Sequence, residues 1–317
     1  MQDGFGRTID YLRISVTDLC NYRCRYCMPP EGVAKRGHGD ILRLEEIEEI
    51  ARAAVSLGVR KLRLTGGEPL VRRGIVELCA RLAAIPGVED LAITTNGSLL
   101  PQMAGELKAA GVRRVNISLD TLREKKFQQL TRQGNLTDTL RGVEEALRQD
   151  LAPVKINTVL IGGCNDDEIG NLAALTCLWP VEVRFIELMP IGPAAQFGPE
   201  AFLPADTVLQ RLPQLQEEPP DGGVARLYRL PGAPGRVGLI TPLSCRFCAG
   251  CSRLRLTADG KLKPCLHSAE EIEVRGLHGE DLRQALLRAA ACKPADYGAL
   301  SRTERSRAHR DMNQIGG

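Results

Sequence analysis

The chain has 317 residues, 43% hydrophobic and 26% charged, with a net charge of +3. That is enough for one large domain plus a smaller one with a full core, and so slight a charge excess excludes a polybasic nucleic-acid or membrane binder. No run approaches the ~20 apolar residues that cross a bilayer, and residues 1–10 are polar, without an apolar signal core.

These features predict a cytoplasmic protein, in which eleven cysteines read as metal or redox sites rather than disulfides. In chain order, short apolar or β-branched runs fall at 11–16, 61–64, 91–94, 115–119, 154–160 and 183–188. Between them lie segments with helical spacing. Leu44, Ile47, Ile50, Ala51 and Ala54 form one apolar face, and 75–84, 103–110, 140–149 and 167–177 read alike. Strand and helix alternate six times, which predicts parallel strands joined by crossover helices. Eight such units would close a barrel; six fit a partial barrel or an open doubly wound sheet, and pattern alone does not separate them. The reading carried forward is an α/β fold with a partial (βα)6 parallel barrel over residues 1–225.

Three strand ends carry polar, glycine-bearing loops: Thr65-Gly66-Gly67-Glu68-Pro69, Thr94-Thr95-Asn96-Gly97 and Ser118-Leu119-Asp120. Ligands of parallel α/β folds bind at the carboxyl ends of strands, so these loops predict one shared site. After Pro190 proline and glycine become dense and the regular units stop. Strand-like runs at 226–230 and 236–241, a cysteine group and a helix-like stretch at 280–291 predict a smaller C-terminal α+β module over 226–317. The polar segment 301–317 reads as a frayed tail.

Seven cysteines cluster. Cys20, Cys24 and Cys27 have C-x3-C-x2-C spacing directly after the first strand run. Three thiolates on one loop can hold three corners of a [4Fe–4S] cube, which ordinarily takes four cysteines, leaving one iron open for chemistry. A zinc site would want a fourth ligand. Cys248, Cys251 and Cys265 form a second triad, with Cys245 three residues ahead; read blind, these could be a four-thiolate zinc or iron–sulfur knot. Cys79, Cys164, Cys177 and Cys292 stand singly and read as small core residues. Arg253 and Arg255 share a strand face before an Asp259-Gly260 hairpin turn. Two guanidiniums there suit a polyphosphate, although a solvated edge strand would look the same. Lys61, Arg63, Lys155 and Arg184 are charges inside apolar strands, costly to bury unless paired.

The C-x3-C-x-Y-C motif resembles the signature of radical S-adenosylmethionine enzymes. That resemblance implies a cluster whose open iron is chelated by S-adenosylmethionine. One electron then breaks the C5′–S bond and gives a 5′-deoxyadenosyl radical. It further implies that Gly66-Gly67-Glu68-Pro69 receives the methionine amino group, with Gly67 allowing close backbone approach, that Ser118 and Met189 contact the cofactor, and that Tyr26 packs by the adenine. Asp3-x-Phe5-Gly6-Arg7, 12–18, 64–70, 94–97, 116–120, 155–159, 184–192, the Arg-Leu-Arg run after the second triad and the terminal Gly-Gly together resemble the GTP 3′,8-cyclase family nearly end to end. This implies a second [4Fe–4S] cluster on Cys248, Cys251 and Cys265 whose open iron binds guanine, with Cys245 a bystander. It implies GTP contacts from Arg13, Lys61, Arg63, Thr94, Lys155, Arg184, Arg253, Leu254 and Arg255, and a Gly316-Gly317 tail that enters the cavity and supports catalysis. An electron donor such as flavodoxin or ferredoxin, a downstream cyclic pyranopterin monophosphate synthase and a homodimer are implied partners. Another radical enzyme with an auxiliary cluster, such as a peptide-modifying maturase, and a zinc-binding nucleic-acid module are the competing readings; 4% aromatics and low charge speak against the second.

Overall fold

The structure is a computed structural model and describes residues 1–34, 37–298 and 306–316. The first strands and helices alternate as the spacing predicts: β1 (Tyr11–Ser15), α1 (Leu44–Ser56), β2 (Lys61–Thr65), α2 (Ile75–Ala83), β3 (Asp90–Thr95), α3 (Leu100–Ala109) and β4 (Arg114–Ser118). Then come α4 (Glu124–Thr131), α5 (Leu136–Arg148), β5 (Lys155–Leu160), α6 (Ile169–Leu178) and β6 (Glu182–Glu187). The side-chain period of two sorts each strand into an apolar and a polar face. Leu12, Ile14, Leu62, Leu64, Leu91, Ile93, Val115, Ile117, Ile156, Val183 and Phe185 all point one way and are buried in one core with the helices. Helix α1 meets that core through Ile47, Ile50, Ala51, Ala54 and Val55. Asn135 caps α5, its side chain accepting the Thr137 and Asp138 N–H groups.

The rest of the chain supplies α7 (Thr207–Arg211), β7 (Gln216–Glu218), β8 (Arg226–Arg229), β9 (Arg236–Ile240), β10 (Arg253–Leu256), β11 (Lys261–Lys263), β12 (Ile272–Glu273) and α8 (Gly279–Ala291). These late strands form no layer of their own. One twelve-stranded sheet runs β12-β11-β10-β1-β2-β3-β4-β5-β6-β9-β8-β7. β1 to β6 are parallel, β9 continues them beside β6, and β10 continues them beside β1. β7-β8-β9 and β10-β11-β12 are antiparallel meanders at the two flanks. The six-unit sheet is therefore a partial barrel widened at both edges, and β12 and β7 end it without pairing to each other. Gly260, at φ +85°, makes the turn between β10 and β11.

Three local readings need correction. Helix α4 has no counterpart in the spacing, because EKKFQQLT buries only Phe127, Leu130 and Thr131. Its last carbonyls support the first cysteine loop: Thr131 accepts from the Arg23 N–H at 2.8 Å and Leu130 from the Arg25 N–H at 2.9 Å. The lone cysteines are not all core; Cys79 is buried, Cys164 and Cys292 are half-buried and Cys177 is exposed. The C-terminal segment is not frayed over 306–316. Ile315 is buried, Asn313 donates its side-chain amide to the Asp18 carbonyl at 3.0 Å, and the Ser306 N–H donates to the Pro190 carbonyl at 3.1 Å.

Helix α5 presses Gly142 against the loop after β3, and a Cβ there would collide with the Gly97 carbonyl. Gly142→Ala is expected to destabilise the chain by roughly 1–3 kcal/mol through forced backbone displacement. Anaerobic thermal melting of the two proteins checks this; an unchanged midpoint would mean that the loop yields freely.

Candidate active site

The polar face of the sheet is aligned by register into rows. Arg255, Arg13 and Arg63 stand side by side on β10, β1 and β2. Thr94, Asn116, Lys155 and Glu182 form the next row across β3 to β6, and Ser118, Asn157 and Arg184 a third. Arg253 and Lys61 flank Tyr11, whose ring lies 5.5 Å from the Arg63 guanidinium and 6.0 Å from that of Arg253. Gly238 completes the third row, and a Cβ there would crowd the Arg184 stem at 3.2 Å. Glycine thus leaves room for a buried arginine.

These rows line a cavity of about 410 Å³. Ten basic side chains and three carboxylates face it, among them Arg13, Lys61, Arg63, Lys155, Arg184, Arg253 and Arg255. Arg13, Arg63, Lys155, Arg184 and Arg255 are each less than a tenth exposed. Burial depresses the basicity of Arg13, Arg63, Lys155 and Arg255, and the neighbouring cations depress it further. Arg63 falls to about 10 and Arg255, beside Arg253, also to about 10. Arg13 is held well below the usual arginine range by burial and then by Arg255. Lys155 falls to about 8 by burial and the nearby Arg184. Glu182 offsets part of this charge: it meets Lys155 at 3.3 Å, Arg236 at 3.0 Å and Arg184. Lys61 departs from the expectation of burial. It is exposed at the rim and donates to Asp10 at 2.9 Å. Leu254 departs from the expected GTP contact. Its side chain is wholly buried in the core on the opposite face, so only its backbone adjoins the rows. Thr94 does not line the cavity, but its Oγ1, like Asn116 Oδ1, Asn157 Oδ1 and Arg63 Nε, is a buried polar atom with no hydrogen-bond partner. Such orphaned atoms on one polar face suit a polar ligand.

Cys248, Cys251 and Cys265 line the same cavity. Burial raises the Cys248 thiol, and the charges of Cys265 and Cys251 add to the rise. Burial pushes Cys251 up as well, but Lys293 and Arg253 outweigh it and leave that thiol below its ordinary value. Cys245 is exposed and, among the described residues, does not belong to the cavity wall.

The first triad lies on the loop after β1, outside that wall. Cys20 is pushed up to about 11 by burial and the Glu68 charge, Cys24 well above its ordinary value by burial, Cys27 and Asp120, and Cys27 likewise by burial and Cys20. Three half-buried thiols that repel one another's ionisation fit a cationic cluster, which coordinates them as thiolates. Among the described residues no three Cys, His, Asp or Glu side chains converge on a single-ion position. The neighbouring loop packs backbone to backbone against the residues that lead into the triad. A Cβ on Gly67 would strike the Leu19 and Asp18 carbonyls, and Gly66 sits at φ +141°. Tyr26 donates to Asp120 at 2.7 Å, Ser118 closes β4, and Met189 faces the cavity.

Several supporting residues escaped the sequence reading. Glu68, wholly buried and pushed up to about 7 by burial, accepts from the Leu70 and Asn96 N–H groups and from Thr95 Oγ1. It thereby ties the ends of β2 and β3 together. Lys293 donates to the carbonyls of Arg253 and Pro264 at 2.8 and 3.0 Å, bracketing the second triad. Arg7 reaches from the N-terminal segment to the Cys248 carbonyl at 2.8 Å. The glycine of the Gly-Gly tail that is described, Gly316, is buried at φ +67° against Thr65, while Arg255 donates to its carbonyl at 2.6 Å and to that of Ile315 at 3.1 Å. Gly317 lies outside the described residues.

Comparison with known proteins follows the same division. The profile of the Radical SAM superfamily matches residues 14–176, and that of Molybdenum Cofactor Synthesis C matches 181–299. A GTP 3′,8-cyclase of Alkaliphilus oremlandii is 50% identical over 321 aligned positions, covering 100% of both chains. A GTP 3′,8-cyclase of Peptoclostridium acidaminophilum is 52% identical, covering 99% of this chain and 98% of that one. Among solved structures, Streptococcus suis SuiB superposes with a TM-score of 0.64 at 17% identity, over 92% of this chain and 67% of that one. Methylornithine synthase gives 0.51 at 18% identity, over 66% and 63%. The two structural likenesses establish the radical SAM fold, and the full-length identities go further: the chain belongs to the GTP 3′,8-cyclase family of that superfamily.

Proposed function

We propose that this enzyme converts GTP to (8S)-3′,8-cyclo-7,8-dihydroguanosine 5′-triphosphate, the first step of molybdenum cofactor biosynthesis. The observation that carries this reading is the cavity itself, where rows of buried arginines and lysine lead to three cysteines. GTP, with about four negative charges, is the kind of anion that ten basic groups with three acids can hold. A peptide-modifying role would need a docking surface for an extended chain, and family membership at about half identity speaks against it.

Cys20, Cys24 and Cys27 would hold one [4Fe–4S] cluster, and Cys248, Cys251 and Cys265, in the C-terminal module, a second with an open corner toward guanine. When bound, the first cluster and S-adenosylmethionine supply a 5′-deoxyadenosyl radical able to remove the 3′ hydrogen of GTP. The chain's own work is placement. Gly67 admits the cofactor backbone-close, while Ser118, Met189 and Tyr26 border it and Asp120 fixes the Tyr26 hydroxyl. Arg13, Arg63, Lys155, Arg184, Arg253 and Arg255 hold triphosphate and ribose, with Lys61 at the rim and Thr94 beside Asn116. Gly316, whose lack of a side chain lets it lie against Thr65 at the end of β2, would act there together with Gly317, the residue that follows it. A small acidic reductant such as flavodoxin or ferredoxin, a downstream cyclic pyranopterin monophosphate synthase, a cytoplasmic setting and a homodimer complete the proposal.

Anaerobic reconstitution with iron, sulfide, a reductant, S-adenosylmethionine and GTP tests the whole. Formation of 5′-deoxyadenosine together with the cyclised nucleotide is expected; 5′-deoxyadenosine formed equally without GTP, and no cyclised product, would refute the substrate. Iron counting tests the ligand sets. Cys245→Ala is expected to retain about eight irons per chain, whereas Cys248→Ala should keep about four. Loss of four irons from the Cys245 variant would make it a ligand.

Lys155 gives a pH signature. Its basicity is depressed to about 8, chiefly by burial, so the charge that draws phosphate is present below that pH and is lost above it. The kcat/KM for GTP should therefore fall on the alkaline side with an apparent pKa near that value. Lys155→Arg should move that limb upward by at least about one pH unit, because a guanidinium stays protonated. A limb unmoved by the substitution would assign it to another group.

A further inference from the structure

The C-terminal segment reaches the strand ends only because something fixes its register before it arrives. Its described part starts at Ser306, meets the β10–β11 turn and the residue before β12 through Arg310, and then makes a short 3-10 turn at Met312–Gln314. Two contacts steer it inside: Asn313 on the Asp18 carbonyl, and Arg255 on the Ile315 and Gly316 carbonyls. The first is a neutral hydrogen bond of ordinary strength, and the second a charged donor on two neutral carbonyls from one nitrogen.

The contact at the point of entry is of another kind. Arg310 donates Nε to Glu271 Oε1 at 2.6 Å and Nη2 to Glu271 Oε2 at 2.7 Å. Its Nη1 and Nη2 also donate to Asp259 Oδ1 and Oδ2, both at 3.0 Å. Two faces of one guanidinium are thus engaged bidentately by two carboxylates, and all three side chains are less than a fifth exposed. Paired, planar geometry of this sort fixes direction as well as distance. Asp259 sits on the turn after β10, the strand that carries Arg253 and Arg255, and Glu271 immediately precedes β12. The clamp therefore ties the segment to the same flank that presents the second cysteine triad.

We infer that Arg310 is a positioning residue for the reaction: its double clamp on Asp259 and Glu271 sets the register that carries Gly316 to the end of β2. The inference rests on the proposal that the Gly-Gly end acts in the cavity. Removing the guanidinium leaves the flank itself intact, because Glu271 keeps Lys263 at 3.4 Å and Lys261 at 3.7 Å, and Asp259 keeps the Thr257 hydroxyl at 2.6 Å.

The test compares the reconstituted holoenzyme with Arg310→Met and Arg310→Lys. Iron content and S-adenosylmethionine binding confirm that each variant is folded and loaded. Backbone hydrogen exchange over residues 312–316 reports the register, and steady-state kinetics reports the reaction. For Arg310→Met, exchange of those amides is expected to rise about 100-fold, and kcat to fall at least about tenfold with the KM for GTP within about threefold. Arg310→Lys should recover part of both, since one ammonium can meet one carboxylate but not two bidentately. The double variant Asp259→Asn/Glu271→Gln should repeat the Met phenotype from the other side of the clamp. Unchanged exchange and unchanged kcat would overturn the role of Arg310. Unchanged exchange with lost kcat would overturn it too, by showing an effect that does not pass through the segment. Released exchange with full kcat would instead remove the Gly-Gly proposal on which the inference stands.

Discussion

Everything about this molecule follows from positive charge held on one face of a sheet whose other face is sealed by helices. The two-residue period of a strand allows no compromise: Leu12, Leu62, Leu91 and Phe185 must face the helices, so Arg13, Arg63 and Arg184 must face inward. Burial of an ion costs several kcal/mol even after relaxation, and repulsion between side-by-side guanidiniums adds to it. Glu182 answers three of the cations and Tyr11 offers its ring to two more. The remainder of the positive field is left for a ligand. A chain that keeps such a field has traded stability for affinity, and only a polyanion recovers the difference.

The same arithmetic explains the company the cysteines keep. The second triad shares its wall with Arg253, Arg255 and Lys293, so charge from the strand rows reaches the thiols directly and draws Cys251 below its ordinary value. The first triad's thiols are driven up chiefly by burial, with the charges of Glu68 on Cys20 and of Asp120 on Cys24 adding to it. The two centres are joined by a segment that touches both: Asn313 gives its N–H to Cys27, and Arg255 binds the carbonyls two and three residues later.

Much of this was legible in the sequence, for a reason of scale. A strand's apolar alternation and a helix's apolar stripe are local, and all six early strands begin and end within a residue or two of their apolar runs. The cysteine spacing and the charges embedded in β2, β5 and β6 are local too. What sequence could not convey is pairing between distant segments. Nothing in Arg253–Leu256 says that its neighbour is Tyr11–Ser15, and so the C-terminal module reads as an appendage when its strands in fact extend both flanks. Helix α4 was invisible because its stripe is only two residues deep before it ends. Glu68 stands in a loop the sequence marks as part of the site, but its role in tying β2 to β3, like that of Lys293 beside the second triad, shows only once its backbone partners are brought to it. The tail looked frayed because its anchors, Asp18, Asp259 and Glu271, lie far back along the chain.

The pairing of β10 with β1 also sets a condition on folding. The register Tyr11 to Arg253 joins segments far apart in the chain. Until the later segment is in place, the first strand keeps an open edge, and the arginine rows lack their outermost member, Arg255. Contacts of such span close slowly, since loop entropy must be spent before they reward it. Without that late strand the sheet is an unfinished trough, the second cysteine triad lacks its wall, and the first has yet to receive Asn313.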